Sequence, residues 1–214
     1  MSRQPKMFTI VGEPGSGKTS RLIAHIKSRV SKGDRAIVID PDGGEDAWNE
    51  FVNLKDVKQL ENHFDFKGVV VVPYKKNHTF KHLRKWAEQK KLIDYMLVLD
   101  DLNTYGVPDP EDDLRYFFKR KRQGGIDFFA TAHSWMEAAA ASCRFTDFWE
   151  IGPASGSPIE RSKQIGSMDA AKNLEKWQRL ANADKVQAKK ENRYHNFFGV
   201  DKFGKHPITG ETPK

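Results

Sequence analysis

The chain has 214 residues, 38% hydrophobic and 30% charged, with a formal net charge of +7; that length suffices for one α/β domain with a full core. No apolar run approaches the roughly 20 residues a membrane helix needs, residues 1–6 begin no secretory signal core, and a single cysteine, Cys143, excludes an internal disulfide and a cysteine metal cluster. The expected setting is therefore reducing and cytoplasmic. The isoelectric point of 9.3 fits a polyanionic partner, but it fits equally a basic surface that binds nothing.

Residues 1–6 read as a loose basic lead-in, and 7–11, Met-Phe-Thr-Ile-Val, as a short buried strand. Residues 12–19, Gly-Glu-Pro-Gly-Ser-Gly-Lys-Thr, match G-x-x-x-x-G-K-[ST], and a helix follows over 20–30 with Leu22, Ile23, Ile26 and Val30 at helical spacing. Strand, glycine loop and helix are the context in which this P-loop pattern cradles phosphate. Gly12, Gly15 and Gly17 let the backbone curl so that its N–H groups converge, and the helix adds its positive dipole end. Glu13, Pro14, Ser16 and Ser20 complete the expected nucleotide cradle. Lys18 is placed for the β- and γ-phosphates of ATP and Thr19 for Mg²⁺.

A turn at 31–34 leads to a strand over 35–40, which ends in Asp40-Pro-Asp42-Gly-Gly. Short helices are expected over 47–52 and 53–63. The run at 68–72, Gly-Val-Val-Val-Val, is apolar on both faces and suits a central parallel strand. A helix over 79–91 buries Phe80, Leu83, Trp86 and Ala87 and presents Lys81, Arg84, Lys85, Lys90 and Lys91 on its other face. A strand over 95–99 runs into Asp100-Asp101. A helix over 111–122, with Leu114, Phe117 and Phe118 inward, is capped by Gly124-Gly125. A strand over 126–131 ends in Ala-His-Ser, an Ala-rich helix covers 135–143, and an edge strand lies within 145–151. Alternating strands and helices argue a three-layer α/β fold with a mainly parallel sheet. Residues 1–152 are the expected ATPase core. Residues 153–214 are expected as a linker, a long polar helix over 169–192 and an extended basic tail, either disordered or docked on a neighbour.

Hydrolysis needs more than a cradle. Leu-Val-Leu-Asp-Asp at 97–101 is an apolar run entering a carboxylate, the Walker B pattern. Asp100 is placed to hold the Mg²⁺ shell, and Asp101 either activates the attacking water or caps a loop. His133 follows the next strand, where a polar group can sense the γ-phosphate; Thr131 and Ser134 compete for that role. Arg115, Lys119, Arg120, Lys121 and Arg122 form a basic cluster. Arg122, then Arg120, are the candidates for an arginine finger supplied to a neighbouring subunit; a solvated or DNA-facing helix side is the other reading. Asp40 and Asp42 help place water or metal, or simply make their turn. The tryptophans at 48, 86, 135, 149 and 177 read mostly as core.

Together these motifs resemble the FtsK–HerA superfamily of P-loop ATPases, and within it the small genome-packaging ATPases of tailless, membrane-containing viruses. The resemblance rests on residues 12–19, on Val38-Ile-Asp-Pro-Asp-Gly43, on Leu97-Val-Leu-Asp-Asp101 and on Lys121-Arg-Gln-Gly-Gly-Ile-Asp-Phe-Phe-Ala-Thr-Ala-His133. His133 stands where that family usually has Gln, and Asp101 where Glu is usual. Assembly ATPases of filamentous phages resembling zonula occludens toxin fit as well. The resemblance implies an additional strand between the Walker A and Walker B strands. It also implies a homo-oligomeric ring that moves double-stranded DNA with ATP and Mg²⁺ and works with a capsid or portal protein, in host cytoplasm or on the virion. A nucleotide-dependent switch and a small-molecule nucleotide kinase are the alternatives.

Overall fold

The computed structural model describes residues 4–41, 46–105, 112–120, 124–138 and 140–213. Eight strands make one sheet: β1 (Met7–Val11), β2 (Arg35–Asp40), β3 (Val52–Asn53), β4 (Gly68–Pro73), β5 (Met96–Leu99), β6 (Asp127–Ala132), β7 (Phe148–Ile151) and β8 (Phe198–Asp201). Their order is β3-β4-β2-β5-β6-β1-β7-β8. Every neighbouring pair is parallel except β7 with β8. The helices are α1 (Lys18–Val30), α2 (Thr79–Glu88), α3 (Asp112–Arg120), α4 (Ala140–Phe145), α5 (Ser162–Ile165) and α6 (Met168–Lys190). This is the expected α/β architecture, and β6 is the expected strand between β1, which leads into the glycine loop, and β5, which leads into Asp100.

Two apolar layers sandwich the sheet. On one face Leu22 and Ile26 of α1 pack on Ile10, Val38, Val98 and Phe129. On the other, Phe80, Leu83 and Trp86 of α2 and Leu114, Phe117 and Phe118 of α3 pack on Leu97, Leu99 and Phe128. Leu22, Ile26 and Leu83 are fully buried, each worth about 1.5–3 kcal/mol relative to exposure. Because the neighbouring strands are parallel, Val11, Asp40, Leu99, Ala132 and Ile151 all end at one edge of the sheet. Loops at that edge are where open α/β sheets bind ligands.

The structure departs from the sequence reading in several places. Residues 53–63 form no α-helix: β3 is followed by a 3-10 turn, Val57–His63, whose N-terminus Asp56 and Gln59 cap reciprocally. α2 stops at Glu88 rather than 91, because Lys90 turns left-handed (φ 57°) and Lys91 N–H bonds back to the Trp86 carbonyl at 2.9 Å. α4 begins at 140, after turns through 135–138. β4 is not central but second from the edge, covered by two residues of β3. β7 is not an edge strand: the segment after residue 194 supplies β8, which pairs Phe198 with Ile151. Gly, Pro and Lys around 199–207 hid that strand's pattern.

Candidate nucleotide-binding site

β1 ends at Val11, and the chain turns through the glycine loop into α1. Gly12 N–H bonds to the Ala132 carbonyl at 3.0 Å and Glu13 N–H to the Pro153 carbonyl at 2.6 Å, so the loop is pinned to the ends of β6 and β7. Gly12 lies so close to the returning loop that a Cβ there would meet Ser16 Oγ at 2.7 Å. Gly17 sits at the helix N-cap with φ 87°, a left-handed conformation that glycine adopts without steric cost. No side chain caps α1, and its first turn holds no acidic residue. Its leading N–H groups therefore lack intrahelical partners and face the cleft. Ser16 Oγ is buried and without a hydrogen-bond partner among the described residues. An uncapped helix start, an orphaned hydroxyl and a lysine form a donor set suited to phosphate oxygens.

An open cleft of 420 Å³ lies over this loop, lined by Pro14, Gly15, Gly17, Lys18, Thr19, Ser20, Pro41, Asp100, Asp101 and His133. The ends of β1, β2, β5 and β6 meet there. Asp100, 4% exposed, accepts hydrogen bonds from Thr19 Oγ1 at 3.0 Å and from Thr131 Oγ1 at 2.6 Å. Burial pushes the Asp100 carboxyl above its ordinary range, against the lowering effect of Thr131, Thr19 and Lys18. Thr131 Oγ1 also accepts the Asp101 N–H at 2.8 Å, so one hydroxyl ties both carboxylate residues to β6. Asp101 itself is left-handed, φ 55°, which Asp tolerates better than most side chains.

Lys18, 5% exposed, donates to the Glu13 carbonyl at 3.0 Å and to His133 Nδ1 at 2.9 Å. With Lys18 charged, Nδ1 must accept, which places the ring hydrogen on Nε2, 3.6 Å from Asp101 Oδ2. Burial lowers the Lys18 pKa, while Asp100, Asp101, Glu137 and Glu13 oppose the shift. Lys18, His133 and Asp101 thus form a chain of polar contacts, parallel to the Thr19–Asp100–Thr131 chain. Thr19 and Asp100 offer oxygen ligands of the kind Mg²⁺ takes. Among the described residues no cluster of three His, Cys, Asp or Glu side chains could hold a metal by itself, so a cation here would share its ligands with phosphate and water.

The structure brings together Lys18, Thr19, Asp100, Asp101 and His133. It does not bring Arg120 to them. Arg120 packs over Tyr116, 5.6 Å from the ring centroid, beside Gly124 and Ile126 at the opposite end of β6 from the cleft. Arg122, Lys121 and Asp42 lie outside the described residues. Asp40 is buried at the end of β2. Sequence reasoning took Thr131 as a rival sensor and missed its bridging role; a hydroxyl one strand over from two carboxylates was the available signal. It also missed two contacts from the C-terminal segment. Lys185 of α6 forms an ion pair with Glu13, and the Phe197 ring lies against Gly12 and Gly152. Nothing local in the sequence links those residues to the loop.

Solved structures with the same fold exist. The genome-packaging NTPase B204 of Sulfolobus turreted icosahedral virus 2 in complex with AMP superposes with a TM-score of 0.64 at 16% identity over 92% of each chain. Its complex with AMPPCP gives a TM-score of 0.62 at 15% identity, again over 92% of each chain. B204, the DNA-packaging ATPase from Sulfolobus turreted icosahedral virus, matches with a TM-score of 0.58 at 18% identity, over 80% of this chain and 88% of that one. At these identities the likeness is one of fold, and this chain has the α/β fold of those NTPases. No family model matches the chain, and no curated protein matches it in sequence.

Proposed function

We propose that the chain is an ATPase of the FtsK–HerA kind that couples hydrolysis to movement of double-stranded DNA, as a genome-packaging motor does. The observation that carries this reading is the single cleft that gathers Lys18, Thr19, Asp100, Asp101 and His133 from three strand ends. The shared fold with B204, described as a DNA-packaging ATPase, supports the direction of the reading. In this mechanism the loop N–H groups and Lys18 hold the β- and γ-phosphates, and Lys18 leaves His133 Nδ1 to do so. Asp101 takes the proton of the attacking water, and His133, whose Nε2 lies 3.6 Å from Asp101 Oδ2, registers the γ-phosphate. Thr19 and Asp100 would hold Mg²⁺, which when bound would supply charge neutralisation to the phosphates.

DNA enters the reading through charge. The net charge is +7, and α2 exposes Lys81 and Lys85 on the face away from the core, a surface suited to phosphates without sequence preference. Arg120 is remote from its own cleft, so as a finger it serves only a neighbouring copy's; Arg122 is the other candidate. A homo-oligomeric ring that meets a capsid or portal protein follows from this proposal. Among the described residues no helix is long and apolar enough to cross a membrane.

The test is steady-state ATP hydrolysis with and without double-stranded DNA, across protein concentration, for wild type and Lys18→Ala. The expected result is DNA-stimulated turnover that rises faster than linearly with protein and disappears in Lys18→Ala. A second reading, a nucleotide-dependent switch, is favoured by Lys18 being engaged by His133 and Glu13. ATP binding without turnover under every condition would select it over the motor.

A further inference from the structure

Lys18, Asp100, Asp101 and His133 all lie on the β5–β6 side of the glycine loop. A nucleoside triphosphate whose terminal phosphate points that way sends its nucleoside in the opposite direction. On that orientation the nucleoside would lie across the first turn of α1, by Ser20 and Arg21, on the side of β7 and β8. That side of the loop is built from the C-terminal segment. β8 is antiparallel, so its first residue, Phe198, lies at the same edge as Ile151. Just before it, Phe197 lies over the loop: a Cβ on Gly152 would come within 2.4 Å of its ring and one on Gly12 within 3.4 Å.

The Arg21 guanidinium stands 5.2 Å from the Phe197 ring centroid, and its Nε is anchored on Glu150. The segment is held in place by α6. Asp184 accepts Arg193 Nη2 at 2.7 Å and Asn196 N–H at 2.6 Å, while its neighbour Lys185 pairs with Glu13. The His195 ring is 5.6 Å from that of Phe197, and its Nε2 is shielded from solvent with no hydrogen-bond partner among the described residues. A cation over an aromatic ring, beside an unsatisfied ring nitrogen and next to a phosphate cradle, is a stacking surface with a polar edge.

We infer that Arg21, His195 and Phe197 form the nucleoside subsite, taking the nucleobase of the triphosphate against the Arg21–Phe197 pair. The inference rests on the phosphate-site reading above. It makes the C-terminal segment part of the ligand site rather than an appendage, and it makes base affinity separable from phosphate affinity.

Calorimetry of ATP and of inorganic triphosphate, on wild type and Phe197→Leu, tests it. The leucine keeps the packing on Gly12 and Gly152 and removes the aromatic face. The expected result is a loss of about tenfold in ATP affinity with triphosphate affinity unchanged. Equal losses for both ligands, or none, would overturn the subsite. So would wild-type protein that binds triphosphate as tightly as ATP, and that outcome leaves the phosphate site intact. Wild-type protein that binds neither ligand would overturn the phosphate site, and the subsite with it. Photolabelling of wild-type protein with 8-azido-ATP needs no variant. Adducts at residues 20–21 or 193–198 support the subsite, and adducts confined elsewhere reject it.

Discussion

The two sides of the glycine loop are made of different material. On the β5–β6 side, hydroxyls, carboxylates, an imidazole and an ammonium form two short chains of polar contacts, with Asp100 and Thr131 buried. On the β7–β8 side, a backbone carbonyl, an aromatic ring and a surface ion pair hold the loop from residues at least 140 positions away in sequence. The first side keeps charged groups in a poorly solvated place, which costs stability. The second holds the loop in place and leaves its chemistry alone. Mutations on the two sides should therefore separate into losses of turnover and losses of affinity or stability.

The sharpest break is Asp100→Asn, which should lower ATP turnover about 100-fold by removing the charge that holds the cation. Because burial raises the folded pKa of Asp100 above its unfolded value, the charged carboxylate destabilises the fold at neutral pH. The same variant should therefore melt at a higher temperature than wild type at pH 7, and a lower melting temperature would contradict this account of the site. Thr131→Val keeps the shape but leaves Asp100 Oδ1 and the Asp101 N–H without their partner. It should cost about 1–3 kcal/mol of stability and lower turnover about tenfold with ATP affinity unchanged, which denaturant titration and steady-state kinetics can read.

On the other side, burial pushes the Glu150 carboxyl up, but hydrogen bonds and charge from His25 and Arg21 outweigh it and hold the group below 4.5. A depressed folded pKa gives stability that is present above about pH 4.5 and lost as pH falls through the folded value. Urea midpoints measured from pH 7 to pH 3 should fall less steeply for Glu150→Gln than for wild type. The smallest effect is expected for Lys185→Ala. Its ion pair with Glu13 is partly exposed, so the loss should stay below about 1 kcal/mol in stability, with turnover per bound ATP unchanged. A large drop in that turnover would erase the division between the two sides.

The chemical side was legible in the sequence because its signals are local. Gly12 to Thr19 and Leu97 to Asp101 each carry their own strand context, and His133 follows a readable strand. The supporting side was not. Phe197 precedes a four-residue strand set among Gly, Pro and Lys, and its partner β7 gives no sign of needing a neighbour. The 3-10 turn at Val57–His63 falls where a helix over 53–63 was expected, and its capping box of Asp56 and Gln59 starts either form of turn. Lys90 adopts left-handed backbone that its propensity does not anticipate, and this shortened α2 relative to its apolar periodicity.

The position of β1 has a consequence for how the protein is born. Met7 pairs with Phe128, and Phe8 with both Phe129 and Phe148, so β1 waits for residues more than 120 positions further on before it has a neighbour. Long-range parallel pairings of this kind form late and slowly. The loop that follows β1 hangs on Ala132 and Pro153 and so takes shape only after those residues emerge. Residues 12–19 are therefore made well before the contacts that give the loop its shape.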